Sequence, residues 1–303
     1  MTGGASVLDE GLIEVEPAST VADALRLLRR NRAALAGAVI TGAFLLTGIA
    51  GIVMLAVGGL QDLYLEQNLR SALAPPLADG LFGTDPLGRD LLARVVAGTG
   101  VSLAIAAIVT AISILVGGVV GILAGYYGGK LDLVLSGIID VTWGFPIILV
   151  IIILAGVLSP GLITVVLGIA LINWAGFARI IRGEAMSLRE RDFVRAARAL
   201  GAPGWRIMIR HLVPNVIGPT LVLGSYYVAI TIIAEAGTSF IGVGAQPPTP
   251  SLGQIIAEGQ NYWARDVWVV AIPGAVLGLI VLGLNALGDG LRDLVDPRLR
   301  TRG

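Results

Sequence analysis

Six apolar runs alternate with shorter polar segments along the chain, at 33–60, 101–124, 138–158, 162–181, 216–236 and 267–287. About twenty apolar residues in helical conformation cross the hydrocarbon core of a bilayer, and only helices or closed barrels satisfy their backbone there. The pattern therefore predicts an all-α polytopic membrane protein with six transmembrane helices. One polar stretch stands apart, because 184–215 sets six arginines between two membrane-length runs. Ser187 with Glu190 three residues later reads as a capping box, so a helix is expected to open there and run to Leu200, where Gly201 takes the left-handed conformation that ends it. Pro203 and Gly204 then turn the chain, and Trp205, Met208, Ile209 and Leu212 recur at helical spacing. The expected product is two short helices and a tight bend, a compact handle on the membrane surface.

Composition agrees with a membrane-embedded chain: 55% of residues are hydrophobic, 14% are charged and 42 of 303 are glycine. No cysteine is present, which excludes disulfides and cysteine-based metal or redox sites. The formal net charge of zero hides an uneven distribution. With six spans, seventeen of the Lys and Arg residues fall on the side of the termini and four, Arg70, Arg89, Arg94 and Arg265, on the other. The positive-inside rule puts both termini and the 184–215 loop in the cytoplasm. The apolar run after residue 32 is too long for the core of a cleavable signal, so 1–32 reads as a cytoplasmic tail and 33–303 as the membrane domain, with a C-terminal tail at 288–303. Thr20 can cap a short amphipathic tail helix with Arg26, Arg29, Arg30 and Arg32 toward lipid headgroups; an irregular tail with juxtamembrane arginines fits equally.

Other polar features sit at span ends. Asp85 or Thr84 is placed to cap an outer helix with Leu87, Leu91 and Val95 as an apolar stripe lying along the membrane. The Asp and Arg residues there read first as a local salt bridge and second as a substrate contact. Gly117, Gly121 and Gly125 repeat every fourth residue, a groove for close helix packing. Asp140 is expected near the start of its helix, where it favours the dipole, and Glu235 near an outer end is a candidate for lining a pathway or for a structural role. Gln246, in the proline-rich 237–266 loop, is a second pathway candidate. Gly125 to Lys130 does not have the spacing of a phosphate-binding loop, so no ATP site is expected on this chain. Lys130 is the only lysine and His211 the only histidine, which leaves a histidine metal site or a Ser-His-Asp triad without support.

Residues Ala196, Ala197, Gly201 and Pro214 match the EAA loop of permeases from binding-protein-dependent ATP-binding-cassette importers, and the chain resembles that family. It departs at Arg195, His211 and Val213, where the family has Glu, Ile and Leu. Those departures resemble the dipeptide/oligopeptide and nickel branch, whose loop is matched by Asp192, Phe193, Val194, Ala196, Ala197, Ala199, Leu200 and Gly201, then Arg210, His211, Pro214 and Asn215. The strings from Phe82 to Asp90, Ser239 to Ser251 and Leu284 to Leu299 resemble the same branch, so the likeness covers most of the chain from Phe82 onward.

The resemblance implies a permease subunit in the bacterial inner membrane, forming half of a peptide pathway. It implies a second, similar permease as heterodimer partner, two ATP-binding subunits that use ATP and Mg, and an extracytoplasmic solute-binding protein. It gives this chain no cofactor, no metal and no nucleic-acid partner; membrane lipid surrounds it. Glu184, Asp192, Phe193, Ala196, Ala197, Leu200, Gly201, Arg210, His211 and Pro214 are then the residues of an ATPase-coupling loop. Phe193, Ala197 and Leu200 are expected on one face of its first helix and Arg191, Arg195 and Arg198 on another. Nickel or another small solute is the alternative cargo. A secondary transporter is the rival mechanism, expected to carry mid-membrane ionisable residues and paired broken helices.

Overall fold

The computed structural model describes residues 31–295. The expected tail helix around Thr20 and the terminal string beyond Val295 lie outside that range. Within it the chain is helical, apart from turns and one isolated bridge between Thr84 and Asp90. Helix α1 spans Arg32–Ala56, with the Asn31 side chain accepting from the Ala33 and Ala34 amides, and α2 spans Gly58–Leu65. Then come α3, Leu91–Tyr127; α4, Gly129–Trp143; α5, Ile147–Leu158; and α6, Leu162–Arg189. Helix α7, Asp192–Ala199, and α8, Gly204–Ile207, precede a π-helical turn at Met208–Leu212 and then α9, Val213–Phe240. Helices α10, Leu252–Gly259, and α11, Trp268–Val295, complete the fold.

Among the described residues, five helices are long and apolar enough to cross a membrane, and the bent pair α4–α5 makes a sixth span if counted as one. The third expected span, 138–158, is thus broken. Its halves meet at 82° across Gly144, Phe145 and Pro146, where Pro146 has no amide to continue the ladder and its ring disfavours the α region for the residue before it.

Two boundaries differ from expectation. The outer amphipathic helix does not start at Thr84; residues 84–90 form a tight turn in which the Asp85 carboxylate accepts from the amides of Leu87 (2.8 Å) and Arg89 (3.0 Å). Asp90 instead caps α3, accepting from Ala93 N at 2.7 Å, and Leu91 and Val95 are buried in the first turns of one continuous 37-residue helix. At 1.5 Å per residue α3 is about 55 Å long, well beyond a bilayer core of about 30 Å. Helix α6 likewise runs through Ser187 to Arg189, so the Ser187–Glu190 capping box is not formed. Burial of Ala185 against Tyr126, with Leu188 packed beside them, keeps that turn helical.

Helices α3 and α6 approach most closely through the glycine groove. A Cβ on Gly117, Gly121 or Gly125 would lie 2.4–2.6 Å from the carbonyl oxygens of Trp174, Ala178 and Arg182, so the backbones meet without side chains between them. Leu91, Ile232, Leu252 and Ile280 then join α3, α9, α10 and α11 in one core, and Val109, Ile151 and Ile169 join α3, α5 and α6 in another.

Candidate functional site: the handle and its surroundings

The stretch from Glu190 to Leu212 projects from one end of the helix bundle, here the handle side, between α6 and α9. Arg191 takes an extended conformation at the N-terminus of α7 without any side-chain cap, so the bend after α6 is a two-residue turn at Glu190 and Arg191. Helix α7 ends as expected at Gly201, whose φ is +79°. The Ala202 amide donates to the Ala197 carbonyl (3.1 Å) and the Gly201 amide to Arg198 (3.0 Å), the paired bonds of a Schellman motif.

Beyond Pro203 the expected free second helix is absent. Gly204–Ile207 passes through the π turn directly into α9, with the Val213 amide donating five residues back to Met208. Pro214 follows at once and supplies no amide, and Asn215 Nδ2 donates to the His211 carbonyl at 2.6 Å. Such a widened turn next to a proline is a recurrent way to absorb an extra residue in a helix, often at functional sites.

The inner face of the handle is a small core: Val194, Ile207 and Leu212 are buried with Tyr126 and Ala185, and Ala197 packs partly against them. Arg189 Nη1 donates to the Gly125 and Tyr126 carbonyls at 3.3 and 3.5 Å, which fastens the end of α3 to the end of α6 where the handle begins. The Phe193 and His211 rings stand 6.1 Å apart and bridge α7 to the π turn, while Arg198 lies over Tyr126 at 5.6 Å.

The outer face differs from the sequence expectation. Phe193 and Leu200 do not share the buried face with Ala197; Leu200 is 89% exposed, and Trp205 and Ile209, expected on the apolar stripe, are 57% and 62% exposed. Asp192, Ala196, Arg210 and Pro214 are exposed as well, and His211 is half-buried. Glu190 accepts from Arg189 (3.1 Å) and Arg195 (3.2 Å), and the Arg195 and Arg189 guanidiniums hold its carboxyl below the usual range. The structure thus brings together all the named loop residues except Glu184, which sits on α6 at the rim of a separate cavity of about 720 Å³ between α6, α9 and α11.

The pathway candidates lie at the opposite end of α9. Glu235 is fully buried, with Oε1 accepting from Ser239 and Oε2 from Ser102, each at 2.7 Å, so it joins α9 to α3 inside the subunit. Gln246 is exposed beside a shallow depression of about 260 Å³ and donates to the Gly242 and Gly244 carbonyls of its own loop. Asp140 is near the C-terminus of α4, not its start; it pairs with Arg179 at 2.5 Å, whose guanidinium lies 4.3 Å over the Trp143 ring.

The acid–base cluster read as a local salt bridge is one, but it reaches further than the sequence indicates. Arg94 Nη1 and Arg89 Nε each donate to Asp85 Oδ2 at 2.5 Å, and both guanidiniums also donate to Glu258 Oε2 at 2.6 Å. Arg94 is 1% exposed. Glu258, on α10, gave no signal in the sequence because its partners lie more than 160 residues away.

Comparison with known proteins agrees with this geometry. Residues 117–301 match the family model described as the binding-protein-dependent transport system inner membrane component, a stretch that contains the whole handle. The dipeptide transport system permease protein of Alkalihalophilus pseudofirmus is 34% identical over 92% of this chain and 90% of its own length. The oligopeptide transport system permease protein of Bacillus subtilis is 33% identical over 92% and 90%. Among solved structures, the MetNI methionine ABC transporter in an inward-facing conformation matches with a TM-score of 0.55 and 20% identity, over 67% of this chain and 97% of that one, which shows a shared fold. The chain belongs to the binding-protein-dependent inner membrane component family and is a multi-pass permease subunit of an ATP-binding-cassette importer.

Proposed function

We propose that this chain imports di- and oligopeptides as one of two similar permease subunits, driven by two ATP-binding subunits and supplied by an extracytoplasmic binding protein. It lies in the bacterial inner membrane with both termini and the handle in the cytoplasm, as the excess of basic residues on that side favours. The observation that carries the coupling role is the continuity of the handle with its spans. Helix α6 enters it and α9 leaves it with only a two-residue turn and a capped bend between them, and its inner face is pinned to α3. A push on its outer face is therefore transmitted to two membrane helices rather than absorbed by a loose loop.

That outer face has what a docking partner needs. Leu200, Trp205 and Ile209 expose apolar surface, Arg206 lies over the Trp205 ring at 5.5 Å, and Arg191, Arg195 and Arg198 add exposed positive charge to the same stretch. The peptide cargo is supported by the names of the relatives and by the branch motifs. The chain itself is no enzyme; it carries no phosphate-binding loop, and ATP and Mg belong to the ATPase partners.

Reconstitution of the two permeases, the ATPases and the binding protein in liposomes tests the reading. ATP-dependent accumulation of a radiolabelled dipeptide is expected. An assembly that hydrolyses ATP and accumulates nickel but no peptide would overturn the cargo, and ATP turnover by the purified chain alone would overturn its passive role.

A further inference from the structure

We propose that the cavity of about 720 Å³ between α6, α9 and α11 binds the charged ends of a short zwitterion, an α-ammonium and a carboxylate held a few bonds apart. The proposal rests on the peptide reading above for the source of that zwitterion. The volume lies within the range of about 300–1,000 Å³ usual for small-molecule sites, and the walls follow the same plan, apolar with a few polar groups. Val222, Leu223 and Ile180 supply apolar wall, and Glu184, Asp289, Arg292 and Asn285 supply the polar groups.

The state of those polar groups is what sets this cavity apart. The other acid–base sets near the spans are closed on themselves: Asp85 and Glu258 on Arg89 and Arg94, Asp132 on Arg182, Asp140 on Arg179. Around the cavity, two carboxylates and a guanidinium, all three on exposed residues, line one space, and among the described residues none of them forms an ion pair. Asn285 lines the same space, although its Oδ1 is itself shut off from solvent and has no hydrogen-bond partner. Charges of both signs held apart around one cavity complement a ligand that carries both. Glu184 and Asp289 are acceptors for an ammonium; Arg292 offers a fork for a carboxylate.

Phosphatidylethanolamine presents the same chemistry, an ammonium beside an anionic group, so the test separates the two sources. The chain has no cysteine, so Val222→Cys places a single thiol in the cavity wall. The assembled transporter bearing it is placed in nanodiscs of phosphatidylcholine and phosphatidylglycerol, or in the same lipids with phosphatidylethanolamine, and its maleimide labelling is followed. Dialanine is expected to slow labelling in both lipid mixtures, and N-acetyl-dialanine and dialanine amide to do so less well. Asp289→Asn and Arg292→Gln, each added to the probe, are expected to raise the half-protecting dialanine concentration by about tenfold or more, the loss of one charge-assisted contact.

Protection that follows phosphatidylethanolamine and ignores dialanine would assign the cavity to a headgroup and overturn the peptide proposal. Labelling that no probe slows, or protection that both charge variants leave unchanged, overturns it too. Protection by dialanine in a complex that imports no peptide would instead keep the site and sink the peptide-import reading.

Discussion

Asp132 accepts from both Nε and Nη2 of Arg182, at 2.5 and 2.8 Å, and this two-pronged pair clamps the first turn of α4 to the handle end of α6. Ser136 Oγ adds a third bond to Asp132 Oδ1 at 3.1 Å. Loss of one partner leaves the other half-sheltered and unpaired. Asp132→Ala is expected to destabilise the purified subunit by about 1–3 kcal/mol, read as a lower midpoint of thermal unfolding in detergent. The exchanged pair Asp132→Arg with Arg182→Asp is expected to recover part of that loss, and an unchanged midpoint in Asp132→Ala would remove the clamp from the stability account.

The buried network on the far side should be less forgiving. Asp85→Ala removes a carboxylate that neutralises Arg89 and Arg94 and holds two turn amides, and leaves two guanidiniums buried with only Glu258. Breaking such a buried set costs about 3–5 kcal/mol. Limited proteolysis is expected to cut the 66–90 segment of the variant far faster than that of the parent; equal rates would show the network to be dispensable.

Gly201→Val tests the handle by backbone geometry alone. No atom lies within 4 Å of a Cβ built on Gly201, so the only penalty is the positive φ, about 1–2 kcal/mol for a β-branched residue. Membrane insertion is expected to survive while peptide uptake falls, with ATP hydrolysis either falling alongside or continuing uncoupled. Gly201→Asn, which tolerates this conformation, is expected to retain more uptake than Gly201→Val. Normal coupled uptake by a correctly assembled Gly201→Val complex would take the bend out of the mechanism.

Glu190 provides a pH readout outside the membrane. Its carboxyl is held below the ordinary range by Arg195 first and Arg189 second, so whatever the pairs contribute is present above the unfolded value of about 4.3 and fades as pH falls through the lower folded value. Both pairs are exposed, and salt at about 1 M is expected to screen them and bring the titration back toward the free value. Carbon-13 NMR of labelled glutamate measures this directly; a Glu190 resonance that titrates at or above the free value would show the pairs absent in solution.

Sidedness is checked with single cysteines at exposed positions. Leu200→Cys is expected to react with a membrane-impermeant thiol reagent only from the cytoplasm, and Gln246→Cys only from outside. Reaction of both from one side would break the topology.

The spans were readable because hydrocarbon thickness imposes a length and a polarity that few sequences meet by chance. Their ends were not. The sequence reads the Asp and Arg residues around Arg94 as a local salt bridge but does not show the distant partner Glu258, and Ser187–Glu190 satisfies a local capping pattern that packing around Ala185 overrides. The handle itself was legible from Gly201 and the family motif, since a positive φ is a local demand. Its exposed face was not: of the helically spaced Trp205, Met208, Ile209 and Leu212, Leu212 is buried and Met208 packs beside it, but Trp205 and Ile209 point outward and Ile207, off that stripe, is buried against Tyr126. The Asn285, Asp289 and Arg292 side chains gave no signal of a cavity, because its opposite wall comes from α6 and α9.

The widened turn at Met208–Leu212 also fixes the azimuth of everything above it. An extra residue taken up within one turn leaves the handle below and the span above each in its own rotational setting, like two shafts joined at a chosen angle. Excising one residue from that turn would restore a regular α-helix and swing the following 28 residues by about 100° around their axis. Glu235 would then leave Ser102, and Tyr226 would turn away from the cavity it lines, although the contacts of Val194 and Ile207 with Tyr126 lie outside the excised turn.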